Sequence, residues 1–328
     1  MKRLLSVVVV LSLLLGSLAV FAATAEAKSY TIATVVKLSG VGWFNRMEQG
    51  VNKFAKDTGH NAFQVGPEKA DAALQVQIIE DLIAQKVDAI CVVPFSVEAL
   101  EPVLKKAMDK GIVVITHEAA NQQNMHWDIE AFDNTAYGEE FIKALAEYMD
   151  YEGEWAGFVG SFTSKSHNQW VDGAVAYAEK NYPNLKFIGK FEAYDDQQRA
   201  YEKTRELLKA YPNLKGIQGS ASTDPAGAGL AVEELGLQDE VFVVGTSIPS
   251  VSGQYLRSGA TKMIGFWDPA DAGYAMNKLA VMVLEGQEVT AGIDLGVPGY
   301  NNLSLEGRVL TGQAWVHVTA ENVDQYDF

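Results

Sequence analysis

One stretch near the start of the chain combines residue types that bind small polar molecules. Residues 37–44 contain a cation, a hydroxyl and two large aromatic rings, which are Lys37, Ser39, Trp43 and Phe44. Ammonium and hydroxyl groups hydrogen-bond to ligand oxygens, and aromatic rings cover the apolar carbon faces of a sugar. The stretch therefore predicts one wall of a site for a small, oxygen-rich ligand.

The surrounding pattern places this stretch at the carboxyl end of a strand. The apolar run over residues 30–36 predicts a β-strand, and Met47, Val51 and Phe54 fall on one face of a following helix. In open parallel sheets, ligands bind in the loops at the carboxyl ends of the strands. The loop is thus in the position where a ligand site is expected.

Further polar and aromatic side chains follow later strands of the same kind. Glu118 comes after the strand predicted over residues 112–115. Later strand ends supply the other candidate ligand-binding residues, which are Ser166, His167, Asn168, Ala221, Ser222, Ser247, Trp267 and Asp268. Such a mixture of hydroxyls, amides, a few charges and aromatic rings is typical of a site for an uncharged polyol.

Glu118 and its neighbour His117 also allow a catalytic interpretation. A carboxylate beside an imidazole can act as an acid–base pair, and two carboxylates facing a sugar would suit a glycoside hydrolase. A secreted sugar-modifying enzyme is therefore the alternative of another class. Binding alone also explains the carboxylates, because they accept hydrogen bonds from adjacent hydroxyls. We therefore expect a binding protein without catalytic residues.

Sequence motifs for cofactors and metals are missing. The segment Gly40-Val-Gly42-Trp-Phe-Asn45 is only a partial dinucleotide fingerprint, because Asn45 replaces its third glycine. No nucleophile elbow and no phosphate-binding P-loop is present. The five histidines do not have the spacing of a zinc site. We expect neither a cofactor nor a metal ion.

Strands and helices alternate along the chain in two successive series. The first covers residues 30–149 and the second covers residues 155–258, and both alternate short apolar runs with helical periodicity. This pattern predicts an α/β protein made of two doubly wound lobes with parallel sheets. No Pro/Ser-rich linker separates the lobes, which favours a hinge of several short crossings.

The first 27 residues have the features of a secretory signal peptide. Lys2-Arg3 precedes an apolar run over residues 4–21, and Ala25-Glu26-Ala27 has the form of a signal-peptidase site. The alternative is an uncleaved membrane anchor, since the run is near the length of a spanning helix. Without a cysteine at the end of this segment, a periplasmic protein is expected. The single cysteine, Cys91, lies in a buried-strand pattern and is expected to be a core residue.

The charge balance of the chain limits its partners. The 328 residues carry a net charge of −16, and residues 28–328 carry −17, because the first 27 hold two positive and one negative side chains. Phosphate contacts need clustered Lys and Arg, so nucleic acid is not expected as a partner. Acidity of this degree favours a monomer.

Several segments together resemble the type I periplasmic binding proteins of sugar ABC transporters, and among them the autoinducer-2-binding and rhamnose-binding group. The resemblance covers nearly the whole chain after the signal segment. The segments that carry it are residues 37–44, Asn168-Gln-Trp170, Ala210-Tyr-Pro-Asn213, Gly265-Phe-Trp-Asp268 and Gln325-Tyr-Asp-Phe328.

This resemblance implies two lobes that close on a ligand and an inner-membrane ABC permease that receives it. It implies three hinge crossings, near Phe132, Gly265 and Ile293. The expected N-terminal lobe is 28–131 plus 265–292, and the expected C-terminal lobe is 132–264 plus 293–328. A chemoreceptor is a further partner that the resemblance suggests.

The autoinducer-2 pattern is only partly present. Lys37 and Ala221 match it, but Glu118 stands in place of an aspartate, and Ser166 and His167 stand in place of an Asp-Gln pair. Losing that pair removes an anionic acceptor and an amide from the centre of the site. The resemblance therefore favours a pentose or a deoxyhexose such as rhamnose as the ligand, with autoinducer-2 as the alternative.

Overall fold

A computed structural model describes residues 28–328, in which strands and helices alternate along most of the chain. The strands are β1 (Thr31–Val35), β2 (Asn61–Val65), β3 (Ala89–Val92), β4 (Val113–His117), β5 (Trp127–Glu130), β6 (Gly153–Val159), β7 (Leu185–Glu192), β8 (Leu214–Gly219), β9 (Phe242–Thr246), β10 (Met263–Phe266), β11 (Ser304–Glu306), β12 (Val309–Thr311) and β13 (Val316–Val318). The helices are α1 (Gly42–Thr58), α2 (Ala72–Gln85), α3 (Val97–Asp109), α4 (Asn134–Tyr148), α5 (Lys165–Asn181), α6 (Gln197–Ala210), α7 (Asp224–Leu235), α8 (Pro249–Arg257) and α9 (Pro269–Leu284).

The strands form two separate sheets. The first has the order β11-β12-β5-β4-β3-β1-β2, and the second has the order β13-β10-β9-β8-β6-β7. In the first sheet, only the β11–β12 pair is antiparallel, and in the second only the β10–β13 pair is. Central strands such as β3, Ala-Ile-Cys-Val, are fully buried, as expected for parallel strands with helices on both faces.

Local sequence explains where several helices begin. The Asp71 carboxylate accepts hydrogen bonds from the backbone N–H groups of α2, and the Asp133 carboxylate does the same at α4. These carboxylates satisfy donors that have no partner inside a helix. Asp133 is thus the N-cap of α4, and Asn134 is the first residue of the helix.

The core of the first sheet contains Cys91, whose side chain is completely buried and whose thiol donates to the Met276 carbonyl at 3.5 Å. The prediction that Cys91 is a core residue is confirmed. Close helix packing accompanies this core, because an added Cβ on Gly50 of α1 would lie 1.8 Å from the Ala270 carbonyl oxygen of α9. Within residues 28–328, no helix combines the length and apolar character needed to cross a bilayer.

The chain passes between the two sheets at three places. It leaves the first sheet after β5, over residues 131–133, and returns after β10, over residues 267–268. Gly265 itself still pairs with Thr246 and His317 in the second sheet, so this return comes two residues later than expected. The last passage follows β12, over residues 312–315.

The third crossing differs from the sequence expectation near Ile293. The hairpin of β11 and β12 joins the first sheet, where Leu310 lies opposite Ile129 of β5. The boundary at residue 293 is therefore corrected, because residues 304–311 belong to the first sheet. Only after this hairpin does the chain reach the second sheet, where β13 pairs with β10.

Candidate ligand-binding cleft

The carboxyl ends of the parallel strands of both sheets face one another across a cleft. A small cavity of about 20 Å³ lies between them, which is room for about one water molecule. The residues that line it are Lys37, Trp43, Phe44, Glu118, His167, Trp170, Asp195, Ser220, Ala221, Ser222, Thr246 and Trp267. A ligand larger than water therefore needs the cleft to open and its walls to rearrange.

The elements that position these residues are the strand ends and the first turns of helices. From the first lobe, Lys37 follows β1, Trp43 and Phe44 lie in the first turn of α1, and Glu118 follows β4. The second lobe contributes the first turn of α5 and the loops after β7, β8 and β9. All of these segments meet because parallel strands end at the same edge of a sheet.

Lys37 and Glu118 form a buried ion pair at the centre of the cleft. The Lys37 Nζ atom lies 2.7 Å from Glu118 Oε2, and the two residues are only 3% and 5% exposed. The Ser166 hydroxyl of the second lobe donates to the same oxygen at 3.0 Å. Burial raises the pKa of Glu118, but the charge and hydrogen bond of Lys37 together with the neighbouring His117 and His167 lower it to about 2. The pair is therefore ionised at neutral pH, and the Ser166 hydrogen bond links it to the second lobe.

His167 has a fixed orientation and a defined tautomer. Its Nδ1 atom accepts a hydrogen bond from the Gly160 backbone N–H at 3.0 Å, and its Nε2 atom lies 3.4 Å from Lys37 Nζ. Burial and the nearby Lys37 ammonium lower the pKa of His167 well below its ordinary value, so the ring is neutral. The neutral ring then carries its proton on Nε2. His167 and Lys37 thus present two adjacent donors, an arrangement suited to one shared acceptor oxygen.

Aromatic rings form the apolar part of the cleft and continue into the crossings between the lobes. The Trp43 and Trp267 rings meet edge to face with centroids 4.6 Å apart. Trp267 also lies 5.1 Å from Phe132, which in turn lies 5.5 Å from Trp315. Each of the three crossings thus contributes one aromatic ring, and Trp267 belongs both to the cavity wall and to this group.

The residues predicted from the sequence to bind a ligand differ in whether they line the cavity. Ser166 contacts Glu118 at the edge of the cavity. Those that line the cavity are Lys37, Trp43, Phe44, Glu118, His167, Ala221, Ser222 and Trp267. Their contact with a ligand remains a prediction.

Two predicted residues of the first lobe point elsewhere. The Asp268 carboxylate caps α9 through the Ala270 N–H and forms two hydrogen bonds with the Arg46 guanidinium, at 2.9 and 2.6 Å. The Ser39 hydroxyl is exposed and donates to the Pro67 carbonyl at 3.1 Å. These local partners use the polar atoms that were expected to contact a ligand.

Two predicted residues of the second lobe are also used within the protein. The Asn168 amide nitrogen donates to the carbonyls of Ser161 and Ser164, at 3.0 and 2.8 Å. The Ser247 hydroxyl donates to the Ser222 carbonyl at 2.6 Å. Neither side chain lines the cavity, and Ser247 stabilises the loop of Ser222, which does.

Asp195 is a cavity residue that the sequence expectations missed. It lies just beyond β7 and is 9% exposed, and burial raises the pKa of its carboxyl to about 6, against the opposing effect of Lys37. The rule that pointed to Glu118 applies equally here, because both residues follow a parallel strand.

A larger depression of about 930 Å³ lies at the opposite end of the second lobe. It is bordered by the starts of β6, β7, β8 and β9, including Gly153, Lys186, Leu214 and Phe242. Ligands of open α/β sheets bind beyond the carboxyl ends of the strands, and this depression lies beyond the amino ends. The smaller cavity between the lobes is therefore the candidate site.

The buried carboxylates predict an unusual dependence of stability on pH. Burial raises the pKa of Asp128 to about 7, of Asp195 to about 6 and of Asp224 to about 8. Between pH 8 and 5 these carboxyl groups bind protons in the folded state that they do not bind in the unfolded state, so their contribution to stability increases as the pH falls. The lowered pKa of buried His167 acts in the opposite direction, so the carboxylate contribution is measured against a variant. We expect the unfolding free energy of the wild type at pH 5, relative to pH 8, to exceed that of Asp224→Asn by at least about 1.4 kcal/mol, the equivalent of one pKa unit.

Urea unfolding at pH 8, 6.5, 5 and 3 measures this dependence. Below about pH 4 the trend reverses, because the pKa of Glu118 falls from 4.5 to about 2 on folding, and its stabilisation is lost as it becomes protonated. Asp224→Asn should lack the part of this dependence that Asp224 contributes between pH 8 and 5. The same pH dependence in the wild type and in Asp224→Asn would contradict the assignment.

The fold and the cleft define a class of protein in which two parallel-sheet lobes enclose a small molecule. The chain matches the model of the periplasmic binding protein domain over residues 32–288, and it belongs to this family. The D-allose-binding periplasmic protein of Escherichia coli (strain K12) is 26% identical to it over 258 residues, covering 76% of this chain and 83% of that protein. The chain is therefore a binding protein and not an enzyme.

Solved structures show the same fold. An ABC transporter solute binding protein from Clostridium phytofermentas with bound L-rhamnose superposes with a TM-score of 0.85 at 22% identity, covering 91% of this chain and 98% of that chain. LsrB from Clostridium saccharobutylicum in complex with AI-2 also superposes with a TM-score of 0.85. The identity is 20%, and the superposition covers 91% of this chain and 100% of that chain. The predicted α/β fold of two doubly wound lobes is thereby confirmed.

Proposed function

We propose that this chain is a periplasmic solute-binding protein that captures a small neutral sugar between its lobes and delivers it to the permease of an ABC transporter. The observation that carries the proposal is the cavity between the two sheets, which combines indole walls with both donors and acceptors. The names of the relatives support it, since the E. coli protein binds D-allose and the clostridial structure contains L-rhamnose. Residues 1–27 lie outside the described residues, so the signal peptide stays an expectation.

The charges of the cleft favour a neutral ligand. Lys37 is the cation among the lining residues, and Glu118 already neutralises it at 2.7 Å. Asp195, with its pKa of about 6, adds a further negative charge at neutral pH. A sugar acid or a sugar phosphate would bring an unpaired charge into a buried site, which is strongly unfavourable.

The dimensions of the cleft favour a small ligand. Trp43, Phe44, Trp170 and Trp267 fill much of the space between the lobes, and the remaining cavity is only about 20 Å³. Pockets for drug-sized ligands are about 300–1,000 Å³. A pentose or a deoxyhexose such as rhamnose requires less opening of the cleft than a disaccharide does.

Autoinducer-2 is the second candidate ligand. Lys37 and Ala221 line the cavity at positions that match the autoinducer-2 pattern, and LsrB from Clostridium saccharobutylicum shares the fold. His167, a neutral donor, replaces the amide of that pattern, and Ser166 donates to Glu118 where an aspartate would accept. The site therefore has one carboxylate fewer than the autoinducer-2 pattern, and for this reason we favour a sugar as the ligand.

A thermal-shift screen tests the function. The panel contains L-rhamnose, D-arabinose, D-ribose, D-xylose and autoinducer-2, with D-galacturonate and ribose 5-phosphate as charged controls. A ligand at 100 times its dissociation constant stabilises the folded state by about 2.7 kcal/mol. We expect a neutral compound to raise the melting temperature by several degrees and the charged controls to have no effect. A shift produced only by an anion would contradict the proposal.

A further inference from the structure

The carboxylate of Asp195 has a buried oxygen that no group of the described residues satisfies. Its Oδ2 atom is buried and accepts no hydrogen bond, although the side chain lines the cavity together with Lys37, His167 and Ser220. Leaving a buried charged oxygen without a donor is costly, and such atoms in native structures usually have a functional explanation.

The surrounding backbone is arranged to bring this carboxylate to the cavity. Tyr194 and Asp195 have φ values of 57° and 53°, in the left-handed region that residues other than glycine rarely adopt. The loop is held in place by the Tyr194 N–H, which donates to the Gly160 carbonyl at 3.0 Å. An added Cβ on Gly160 would lie only 2.4 Å from Asp195 Oδ2, so glycine is needed there to make room. Strain of this kind often accumulates at functional sites.

The cavity therefore has two kinds of polar wall. Lys37 and the Nε2 atom of His167 offer donors, while Asp195 offers an acceptor that no protein group uses. Glu118 is already engaged by Lys37 and Ser166. A sugar that places a ring or carbonyl oxygen towards Lys37 and His167 can direct a hydroxyl hydrogen towards Asp195.

We propose that Asp195 is a specificity-determining residue that accepts a hydrogen bond from a hydroxyl group of the ligand. This inference rests on the proposed function and makes it narrower, because it requires a ligand with a hydroxyl on the side facing the second lobe. Asp195 then selects a sugar that carries this hydroxyl over the deoxy analogue that lacks it, since the analogue would leave the buried carboxylate unpaired.

Calorimetric titration of three proteins tests the inference. Wild type, Asp195→Asn and the control Asp239→Asn, which removes an exposed carboxylate of the same lobe, are titrated at pH 7.5 with the strongest-binding sugar of the screen. We expect Asp195→Asn to bind at least about tenfold more weakly and Asp239→Asn to bind like the wild type. The melting temperature of Asp195→Asn without sugar should equal or exceed that of the wild type, because a buried charge has been removed.

Deoxy analogues of the same sugar, each lacking one hydroxyl, identify the specificity directly. In the wild type, one analogue should bind at least about tenfold more weakly than the parent, and in Asp195→Asn that difference should shrink to threefold or less. Unchanged sugar affinity in Asp195→Asn would overturn the inference while leaving the proposed function intact. Weaker binding together with a lower melting temperature would assign Asp195 a structural role and also overturn it. Failure of the wild type to bind any neutral compound of the panel would instead contradict the proposed function itself.

Discussion

Replacing Lys37 by methionine is expected to abolish tight ligand binding and to destabilise the protein by about 3–5 kcal/mol, because it leaves Glu118 charged and unpaired in a buried site. Lys37 and Glu118 are 3% and 5% exposed and lie 2.7 Å apart, so water cannot compensate for the lost partner. We also expect the ligand affinity to fall at least about 30-fold, which corresponds to a loss of about 2 kcal/mol of binding free energy. Urea unfolding and calorimetric titration measure the two effects.

A double variant separates stability from binding. In Lys37→Met combined with Glu118→Gln no buried charge is left unpaired, so most of the lost stability should return. The affinity should not return, because the donor that faces the cavity is still missing. Lys215→Met, which removes an exposed lysine whose partner Glu152 lies 3.5 Å away, is the control and should change stability by less than about 1 kcal/mol. Wild-type stability and affinity in Lys37→Met would show that the pair has neither role.

The second large effect is expected at Trp267. Its ring is 1% exposed and contacts Trp43 of the first lobe and Phe132 of the first crossing, at centroid distances of 4.6 and 5.1 Å. Trp267→Ala should cost about 3–5 kcal/mol of stability, as large-to-small substitutions of buried tryptophan do. It should also weaken ligand binding, because the same ring lines the cavity.

Trp315→Ala is the matched control for this prediction. Trp315 belongs to the same group of aromatic rings at the crossings, but it is 36% exposed and does not line the cavity. Its removal should cost less stability than that of Trp267 and should leave affinity within a few-fold of wild type. If the two variants lose affinity equally, the aromatic group acts through the hinge and Trp267 is not a ligand wall.

The sequence was sufficient to locate the cleft because topology determines where parallel strands end. Lys37, Glu118 and His167 follow different strands or begin different helices, yet alternation of strands and helices alone places each of them at the carboxyl edge of its own sheet. The sequence could not reveal that Lys37 pairs with Glu118, since the two residues are 81 positions apart and their separation depends on how β1 and β4 sit in the sheet. That pairing explains why a site that contains a lysine still favours the neutral ligand that the residue types indicated.

Two expectations from the sequence differ from the structure, one for a local reason and one because of contacts between distant parts of the chain. Asp268 was expected to face a ligand, although an aspartate directly before Pro269 is a recognisable start of a helix, and it does cap α9. The third crossing, which the resemblance placed near Ile293, lies later because the short strands β11 and β12 form a hairpin whose strand β12 pairs with β5, about 180 positions away. Pairing over such a distance leaves no periodic signal in the chain.

The central claim is that a small neutral sugar binds between the two lobes, and a crystal structure of the protein with the strongest ligand of the screen tests it most directly. The prediction is electron density for the sugar in the cavity, with one oxygen within hydrogen-bonding distance of Lys37 Nζ and His167 Nε2 and a hydroxyl at Asp195. Density in the depression near Lys186 and Phe242, or a charged ligand against Lys37, would contradict it.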